Sequence, residues 1–134
     1  MPIFGAIGVA GTGVTVYRKW LDAISDNIAN INTVRPTNAA AFQARYVIAQ
    51  SVTSPDGTGG VQVGGIALGS AQGRLVYDPG HPMADAGGYV RMPDIDLGSQ
   101  MTQMIMAQRG YQANLAVVDR AKDAYQAAIQ LGRN

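Results

Sequence analysis

The sequence predicts an α+β protein in which two long terminal helices pair as a coiled coil, with a small β-hairpin and loop insertion between them. Three observations support this prediction. One apolar heptad pattern covers the start of the chain, a second covers its end, and a glycine-rich stretch with alternating apolar residues separates the two. We therefore expect residues 1–32 and 94–134 to form a terminal helical unit, and residues 33–93 to form the insertion.

The first helix is predicted from apolar residues that recur at alternating steps of four and three. The positions with this spacing are Ile3, Ile7, Ala10, Val14, Tyr17, Leu21, Ile24, Ile28 and Ile31. A straight α-helix repeats every 3.6 residues, so a row held at 3.5 requires the helix to coil around a partner. The glycines at positions 5, 8, 11 and 13 each cost about 1 kcal/mol relative to alanine in a helix. A flexible tail that becomes helical only on assembly is therefore the alternative for this half.

The partner helix is predicted at the end of the chain, where the same spacing returns. Its apolar positions are Leu97, Met101, Met104, Tyr111, Leu115, Val118, Tyr125 and Ile129, with Gln108 and Lys122 as polar members of the row. Asp94 and Asp96 are suited to the start of this helix because carboxylates cap its free N–H groups and favour the positive end of its dipole. Gly132 is suited to its end.

The insertion is predicted to contain a hairpin. Residues 39–52 alternate between apolar and polar side chains, which is typical of a half-buried strand, and residues 61–68 form a second apolar run beyond a Pro-Asp-Gly turn. A third short run covers residues 74–77. The following segment, residues 78–93, contains three prolines and three glycines, so we expect a loop throughout.

The composition limits the classes of function. Ten basic residues stand against nine acidic ones, and the basic residues are not clustered, so a nucleic-acid surface is not expected. Charged residues make up only 14% of the chain, which favours a subunit buried in an assembly. The uncharged first sixteen residues have their basic residues after the apolar run and are broken by glycine, so we expect neither a signal peptide nor a spanning helix.

The residues that could support catalysis are few. The chain has no cysteine, and its single histidine, His81, lies in a turn-rich stretch with only scattered aspartates near it. A metal or hydrolytic centre needs several convergent ligands or a nucleophile, a base and an orienting group. The Gly-Thr-Gly at residues 11–13 lacks the strand and the Lys-Ser/Thr of a phosphate-binding loop. We expect no enzyme, and no catalytic, cofactor-binding or metal site.

Three stretches resemble bacterial flagellar axial proteins of the rod and hook. The run SDNIANINT at residues 25–33 resembles the asparagine-rich motif at the end of their first helix, and RGYQAN at residues 109–114 resembles their C-terminal motif. Residues 75–93 are similar to the stretch that marks the proximal rod type. Gly110 stands where alanine or serine is commoner in that family, and residues 33–70 match only loosely.

The resemblance implies a non-enzymatic subunit of the proximal rod of the flagellar basal body, which crosses the periplasm. Such a subunit leaves the cell through the flagellar type III export apparatus, polymerises helically with copies of itself and with other rod proteins, and transmits motor torque. No nucleic acid, small-molecule substrate or membrane insertion is implied. The alternatives are another rod or hook-junction axial subunit and, from a different class, a peripheral membrane protein anchored by its apolar N-terminus.

Three groups of candidate site residues follow from the pattern and the resemblance. The assembly and coiled-coil residues are Ile3, Ile7, Val14, Tyr17, Leu21, Ile24, Ile28, Met104, Tyr111, Leu115, Val118 and Tyr125. The polar residues of the two motifs, expected to make contacts within or between subunits, are Asn27, Asn30, Asn32, Gln112 and Asn114. The loop expected to contact a neighbouring rod component consists of Asp78, Pro79, Gly80, His81 and Pro82.

Overall fold

The computed structural model describes residues 2–55 and 57–133. In chain order its elements are the helix α1 (Pro2–Ala29), the strands β1 (Arg45–Thr53), β2 (Gly59–Leu68), β3 (Arg74–Tyr77) and β4 (Tyr89–Met92), and the helix α2 (Leu97–Leu131). The predicted fold class is confirmed: two long helices pack on each other, and small antiparallel hairpins lie between them in the sequence. The division of the chain into a terminal unit and an insertion, residue by residue, stays a prediction.

The two helices pack antiparallel along most of their length. Four contacts mark the register: Phe4 with Tyr125, Gly13 with Asn114, Tyr17 with Gly110, and Asn27 with Gln100. The residue number falls in α2 as it rises in α1. The end of α1 therefore lies beside the start of α2, and the long insertion leaves and returns at this end of the pair.

The row predicted for α1 faces α2 and the centre of the molecule. All nine of its positions are buried or half-buried, and Ile24 is 1% exposed. The helix is continuous from Pro2 in spite of its glycines. It ends at Ala29, as the asparagine cluster predicts, and the backbone N–H groups of Asn30 and Ile31 close the final turn on carbonyls of the helix.

The row predicted for α2 is right for the middle of one of its two lines and wrong for the other. In the first line Met104, Tyr111 and Val118 are half-buried as expected, but Leu97 and Tyr125 at its ends are exposed. The second line of the contact runs through Gln100 and Ala107, which are 2% and 0% exposed, and not one residue further along the chain. The residues predicted for that line are instead exposed: Met101, Gln108, Leu115, Lys122 and Ile129. The interpretation of Gln108 and Lys122 as polar residues inside the contact is therefore wrong.

The shape of the two helices explains this shift. A Cβ atom on Gly13 would lie 2.5 Å from the Oδ1 atom of Asn114, and one on Gly110 would overlap the ring of Tyr17. Each glycine thus makes room for a larger side chain on the opposite helix. Because close packing fixes the rotation of α2, small and polar residues enter the contact and larger apolar residues face outward.

The first hairpin lies along α1. β1 and β2 pair antiparallel, and their register shifts between Ile48 and Ala49, which leaves Gly64 as the extra residue of a bulge. Gly57 has φ +79° in the connecting turn, a conformation that favours glycine. Near the turn, the hydroxyl oxygen of Thr12 accepts a hydrogen bond from the Val61 N–H at 3.1 Å. The hairpin is confirmed, but its first strand begins at Arg45 and not at residue 39.

A second hairpin corrects the prediction of a loop throughout residues 78–93. β4 pairs antiparallel with β3, and Val90, opposite Val76, is only 1% exposed. The three glycines and two of the three prolines lie in the connection between the two strands, where Gly88 has φ +80°, and Pro93 follows β4. Turn-forming residues thus dominate the composition of this segment but end before the strand begins.

The start and end of α2 agree with prediction. The Asp96 carboxylate accepts a hydrogen bond from the Ser99 N–H at 2.7 Å, so Asp96 is the N-terminal cap. Gly132 is the C-terminal cap, and its N–H donates to the Ala128 carbonyl at 3.1 Å.

The close approach at Gly110 is testable with a matched pair of glycine substitutions. Alanine in place of glycine favours a helix by about 1 kcal/mol, so Gly8→Ala, where the added Cβ meets open space, should stabilise the chain. Gly110→Ala should instead destabilise it by about 1–3 kcal/mol, because the methyl group displaces the Tyr17 ring. Urea denaturation followed by circular dichroism at 222 nm measures both variants. A stabilised Gly110→Ala would contradict the packing described here.

Candidate assembly surface

One buried asparagine joins three segments of the chain. Asn27 is 1% exposed, and its Oδ1 atom accepts a hydrogen bond from the Arg45 N–H at 2.7 Å. Its Nδ2 group donates to the Arg45 carbonyl and to the Gln100 Oε1 atom, both at 3.0 Å. Both the acceptor oxygen and the donor nitrogen of the amide therefore have partners. The end of α1, the start of β1 and the first turn of α2 meet at this side chain, which we call the Asn27 joint.

An exposed ion pair lies beside the Asn27 joint. The Arg45 guanidinium is 2.6 Å from an Asp26 carboxylate oxygen, and both side chains are about half exposed. Exposed pairs of this kind contribute about 0.2–1 kcal/mol. The buried amide is therefore the stronger constraint on this corner of the molecule.

The other polar motif residues differ in their surroundings. The Asn30 Nδ2 group donates to the Asp26 carbonyl at 2.9 Å, and the Asn30 Oδ1 atom accepts from the Thr33 hydroxyl at 3.1 Å, so this side chain closes the turn after α1. The Asn114 Nδ2 group donates to the Gly110 carbonyl at 2.8 Å and lies against Gly13. Asn32 and Gln112 are exposed.

The predicted contact loop is an ordered turn. The His81 Nδ1 atom accepts a hydrogen bond from the Met83 N–H at 3.1 Å, so the imidazole ring supports the turn. Asp78, Pro79, Gly80 and Pro82 are exposed around it. The loop therefore presents a defined surface, and its contact with a neighbour stays a prediction.

Asp85 holds the second half of this turn. Its Oδ1 atom accepts from the N–H groups of Gly87 and Tyr89, each at 2.9 Å, and its Oδ2 atom accepts from the Thr37 hydroxyl at 3.0 Å. These hydrogen bonds, that from the Tyr89 N–H above all, hold the pKa of Asp85 below its ordinary value of 3.8.

Arg91 fastens the second hairpin to two loops. Its backbone pairs with that of Arg35 through two hydrogen bonds of 2.8 Å. Its guanidinium donates to the Thr37 carbonyl at 2.7 Å and to the Gln72 carbonyl. Neither Arg91 nor the partners of Asn27 were predicted from the sequence, because each acts across more than fifteen residues and belongs to no local motif.

Large apolar side chains remain exposed over both helices and both hairpins. On α2 they are Leu97, Met101, Ile105, Met106, Leu115, Val117, Tyr125, Ile129 and Leu131. On the strands they are Tyr46, Ile48, Ile66, Leu68, Leu75, Tyr77 and Tyr89. An open groove of about 440 Å³ also separates the glycine-rich half of α1 from the tip of the first hairpin. Exposed apolar surface of this extent marks interaction sites.

Neither a clustered metal-ligand set nor a membrane span is found within residues 2–55 and 57–133. No three histidine, cysteine or acidic side chains converge there. Neither described helix has the length and continuous apolar character needed to cross a bilayer.

The sequence of this chain is similar to those of flagellar rod proteins. The family described as "Flagella basal body rod protein" matches residues 8–37, and "Flagellar basal body rod FlgEFG protein C-terminal" matches residues 86–131. The chain is 34% identical to the flagellar basal-body rod protein FlgC of Salmonella typhimurium, with 99% of this chain and 100% of the relative aligned. This chain belongs to the FlgC-type flagellar basal-body rod proteins.

FlgC rod proteins of two other bacteria are similar to this chain to about the same degree. The FlgC rod protein of Yersinia enterocolitica is 35% identical over 99% of this chain and all of the relative. That of Borreliella burgdorferi is 34% identical over 98% of both. The two family regions contain α1 from residue 8 onward with its asparagine turn and the whole of α2, so the helix pair and the Asn27 joint lie mostly in the parts that define the family. Membership assigns the chain to the basal-body rod as a structural protein.

The predicted site residues of this rod protein are partly brought together. The α1 members of the coiled-coil group and Met104, Tyr111 and Val118 are buried or half-buried, whereas Leu115 and Tyr125 are 38% and 41% exposed, Tyr125 with its ring against that of Phe4. Asn27 and Asn114 are also in or beside the helix contact, but Gln112 and the His81 loop are not. The part that any of these residues plays in assembly stays a prediction.

The contribution of the Asn27 joint to the free energy of unfolding is testable by removing its amide. Asn27→Ala should lower the free energy of unfolding by about 2–4 kcal/mol, because the Arg45 N–H and the Gln100 side chain are left without their partner, and each such buried group costs about 1–3 kcal/mol. Asn32→Ala is the matched control, an exposed asparagine of the same motif, and should change it by under about 0.5 kcal/mol. Equal effects of both variants in urea would show that the joint is dispensable.

The Asp85 turn should respond to acid. A carboxylate whose pKa is lowered in the folded state stabilises the fold above the ordinary value of 3.8, and this stabilisation is lost as the pH falls through the lowered pKa. Amide proton shifts of Gly87 and Tyr89, followed by NMR between pH 6 and 2, should therefore titrate with a midpoint below 3.8. Asp85→Asn should abolish this titration. A midpoint at or above 3.8 would contradict the hydrogen bonding described for the turn.

Proposed function

We propose that this chain polymerises helically into the flagellar drive shaft, where it transmits motor torque as a non-enzymatic building block. Its family supplies the location in the rod. The observation that supports polymerisation is the distribution of apolar side chains. Five of the nine buried hydrophobic residues described are alanines, at positions 10, 23, 41, 44 and 107, whereas most large apolar residues on α2 are exposed.

This distribution suits a subunit whose neighbours complete its core. Burial of a large apolar side chain contributes about 1.5–3 kcal/mol. The exposed apolar residues on the flanks of α2 gain this free energy only when another molecule covers them. A contact between different surfaces of successive copies does not close, and it generates a helical array. Copies of this chain and other rod proteins are the proposed partners.

Torque transmission requires a stiff subunit, and the helix pair supplies the stiffness. The mutual fit at Gly13 and Gly110 brings the helices into close contact, and the Asn27 joint fixes their relative position at the opposite end from the chain termini. The hairpin is fastened to α1 at both ends, by Arg45 and by Val61. Twisting the subunit therefore strains hydrogen bonds and packing together.

Export through the flagellar type III apparatus is the further part of the proposal. Passage through a narrow channel requires the chain to unfold, and this chain has features that lower its free energy of unfolding. Its core is built from small residues, and α1 contains four glycines that weaken it by about 1 kcal/mol each. The chain has no cysteine and so no disulfide to break.

The proposal predicts that an exposed apolar residue matters for assembly and not for the fold. Leu115→Glu should leave the free energy of unfolding of the purified chain within about 1 kcal/mol of wild type, because this side chain is 38% exposed and a carboxylate at its end reaches water. In cells whose own copy has been deleted, it should reduce complete rods by roughly tenfold, since a neighbour would bury the new charge. Electron microscopy of basal bodies and spreading in soft agar measure this.

Leu115→Met is the matched control and should support wild-type rods and motility. Wild-type assembly with Leu115→Glu would remove this surface from the rod contacts. Complete rods in the deletion strain without any added copy would overturn the proposed function itself.

A further inference from the structure

The first hairpin lies on α1 without contributing to the core. No residue of β1 or β2 is buried, although both strands contact the helix. In the second hairpin, by contrast, Val90 is 1% exposed. A two-stranded hairpin is only marginally stable by itself and depends on what it packs against. The position of the first hairpin is therefore set by its points of attachment to α1.

One attachment is at the base of the hairpin. The Asn27 side chain holds both backbone polar groups of Arg45, and the Asp26 carboxylate pairs with the Arg45 guanidinium. The Gly69 N–H donates to the Ala44 carbonyl at 2.7 Å and continues the strand pairing beyond the base. The start of β1 is thus fixed to the end of α1 by several hydrogen bonds.

The second attachment is the hydroxyl group of Thr12. Its oxygen accepts a hydrogen bond from the Val61 N–H at 3.1 Å, and its proton is donated to the Val9 carbonyl at 2.6 Å. The backbone of Gly60 passes close by, since a Cβ atom there would lie 3.1 Å from the same oxygen. A neutral hydrogen bond of this kind is much the weaker of the two attachments.

Open space lies under the hairpin on either side of Thr12. Toward the turn it is the groove of about 440 Å³ that contains Gly5 and Gly8, and a Cβ atom on either glycine would meet nothing within 4 Å. Toward the base a second opening of about 180 Å³ lies between α1 and the side chains of Val47 and Val63. The hairpin can therefore move relative to the helix without disrupting closely packed side chains.

A flexible point lies between the two attachments. The register of the strand pair shifts between Ile48 and Ala49, and Gly64 is the extra residue opposite this step. A bulge interrupts the ladder of hydrogen bonds and bends the strand. Gly65 follows directly, and two consecutive glycines leave the backbone free to bend further. The bulge divides the hairpin into a base and an outer part, residues 49–53 and 59–63, which we call the arm.

We propose that the arm pivots about the Gly64 bulge and is latched to α1 by the Thr12 hydroxyl. Release of the latch moves the arm away from α1, while the Asn27 joint keeps the base of the hairpin and the two helices in place. The chain thus presents the arm at more than one angle on an unchanged helix pair. The inference concerns the single chain and does not rest on the proposed polymerisation.

Distances between spin labels test the latch, since the wild-type chain has no cysteine that would also be labelled. Labels on Ala6→Cys and Thr53→Cys report the position of the arm, and labels on Ala6→Cys and Ala67→Cys report that of the base. All three residues are exposed. Double electron–electron resonance on the purified full chain gives the distribution of each distance.

Thr12→Val keeps the shape of the side chain but removes the acceptor of the Val61 N–H. It should raise the ratio of long to short arm distances about three- to tenfold, the effect of losing one hydrogen bond. The base distances should stay as in the wild type, because the Asn27 joint is intact.

Two further threonine variants are the controls. Thr15→Val removes a hydroxyl from the same helix that donates to the Gly11 carbonyl and not to the hairpin, so both distributions should match the wild type. Thr12→Ser keeps a hydroxyl at the latch and should also match it. Gly65→Ala, whose Cβ atom meets open space, should narrow the arm distribution of Thr12→Val because it restricts the pivot.

Three results overturn the proposal. Identical arm distances in Thr12→Val and Thr15→Val show that there is no latch at Thr12. Equal broadening of the arm and base distances in Thr12→Val shows that the hairpin leaves α1 as a whole. An arm distribution of Thr12→Val that Gly65→Ala leaves unchanged shows that the bulge is not the pivot. None of these results touches the proposed function, which is judged by rods and motility in the deletion strain.

Discussion

The buried amide of Asn27 is the constraint on which the arrangement of this molecule depends. It ties together residues that lie eighteen and seventy-three positions away, and it uses its donor and acceptor groups together. A buried amide lowers stability when it is unpaired, so any sliding of α2 past α1, or any displacement of β1, breaks hydrogen bonds of a side chain that is shielded from solvent. Asparagine therefore specifies position here more than it adds net stability. Because Asn27 belongs to the asparagine-rich motif, the same motif ends α1 and joins it to β1 and α2.

The register that Asn27 sets is completed by shape. Glycine on each helix faces a larger side chain on the other, at Gly13 with Asn114 and at Gly110 with Tyr17. The periodicity of apolar residues does not reveal this kind of fit between a glycine and a larger side chain. It predicted both helices and the whole α1 row from the sequence, but it chose Leu115 over Asn114 because leucine is the more apolar residue. A search for glycines on either helix opposite larger residues on the other, at a constant antiparallel offset, would have pointed to the Gly13–Asn114 and Gly110–Tyr17 pairs.

Local chemistry predicted what is local. The first hairpin, the helix caps at Asp96 and Gly132, and the third strand were read from residues within a few positions of one another. The partners of Asn27 and the anchoring of Arg91 could not be, since they depend on how distant segments pack. β4 was missed for another reason: its four residues follow a turn so rich in glycine and proline that composition masked them. The candidate site thus combines local motifs with tertiary contacts between distant segments. Only the local motifs could be predicted from the sequence.

The division of apolar residues between inside and outside links fold to function. A core made largely of alanine gives close helices and little transfer free energy, so the isolated chain is held by shape and by a few buried polar bonds. The large side chains left on the flanks of α2 would be a liability in a solitary protein. In the proposed helical array they are the contacts, and their free energy is gained only when a subunit joins. A chain built in this way meets both demands of the proposed function, because it unfolds easily for export and becomes rigid in an assembly that transmits torque.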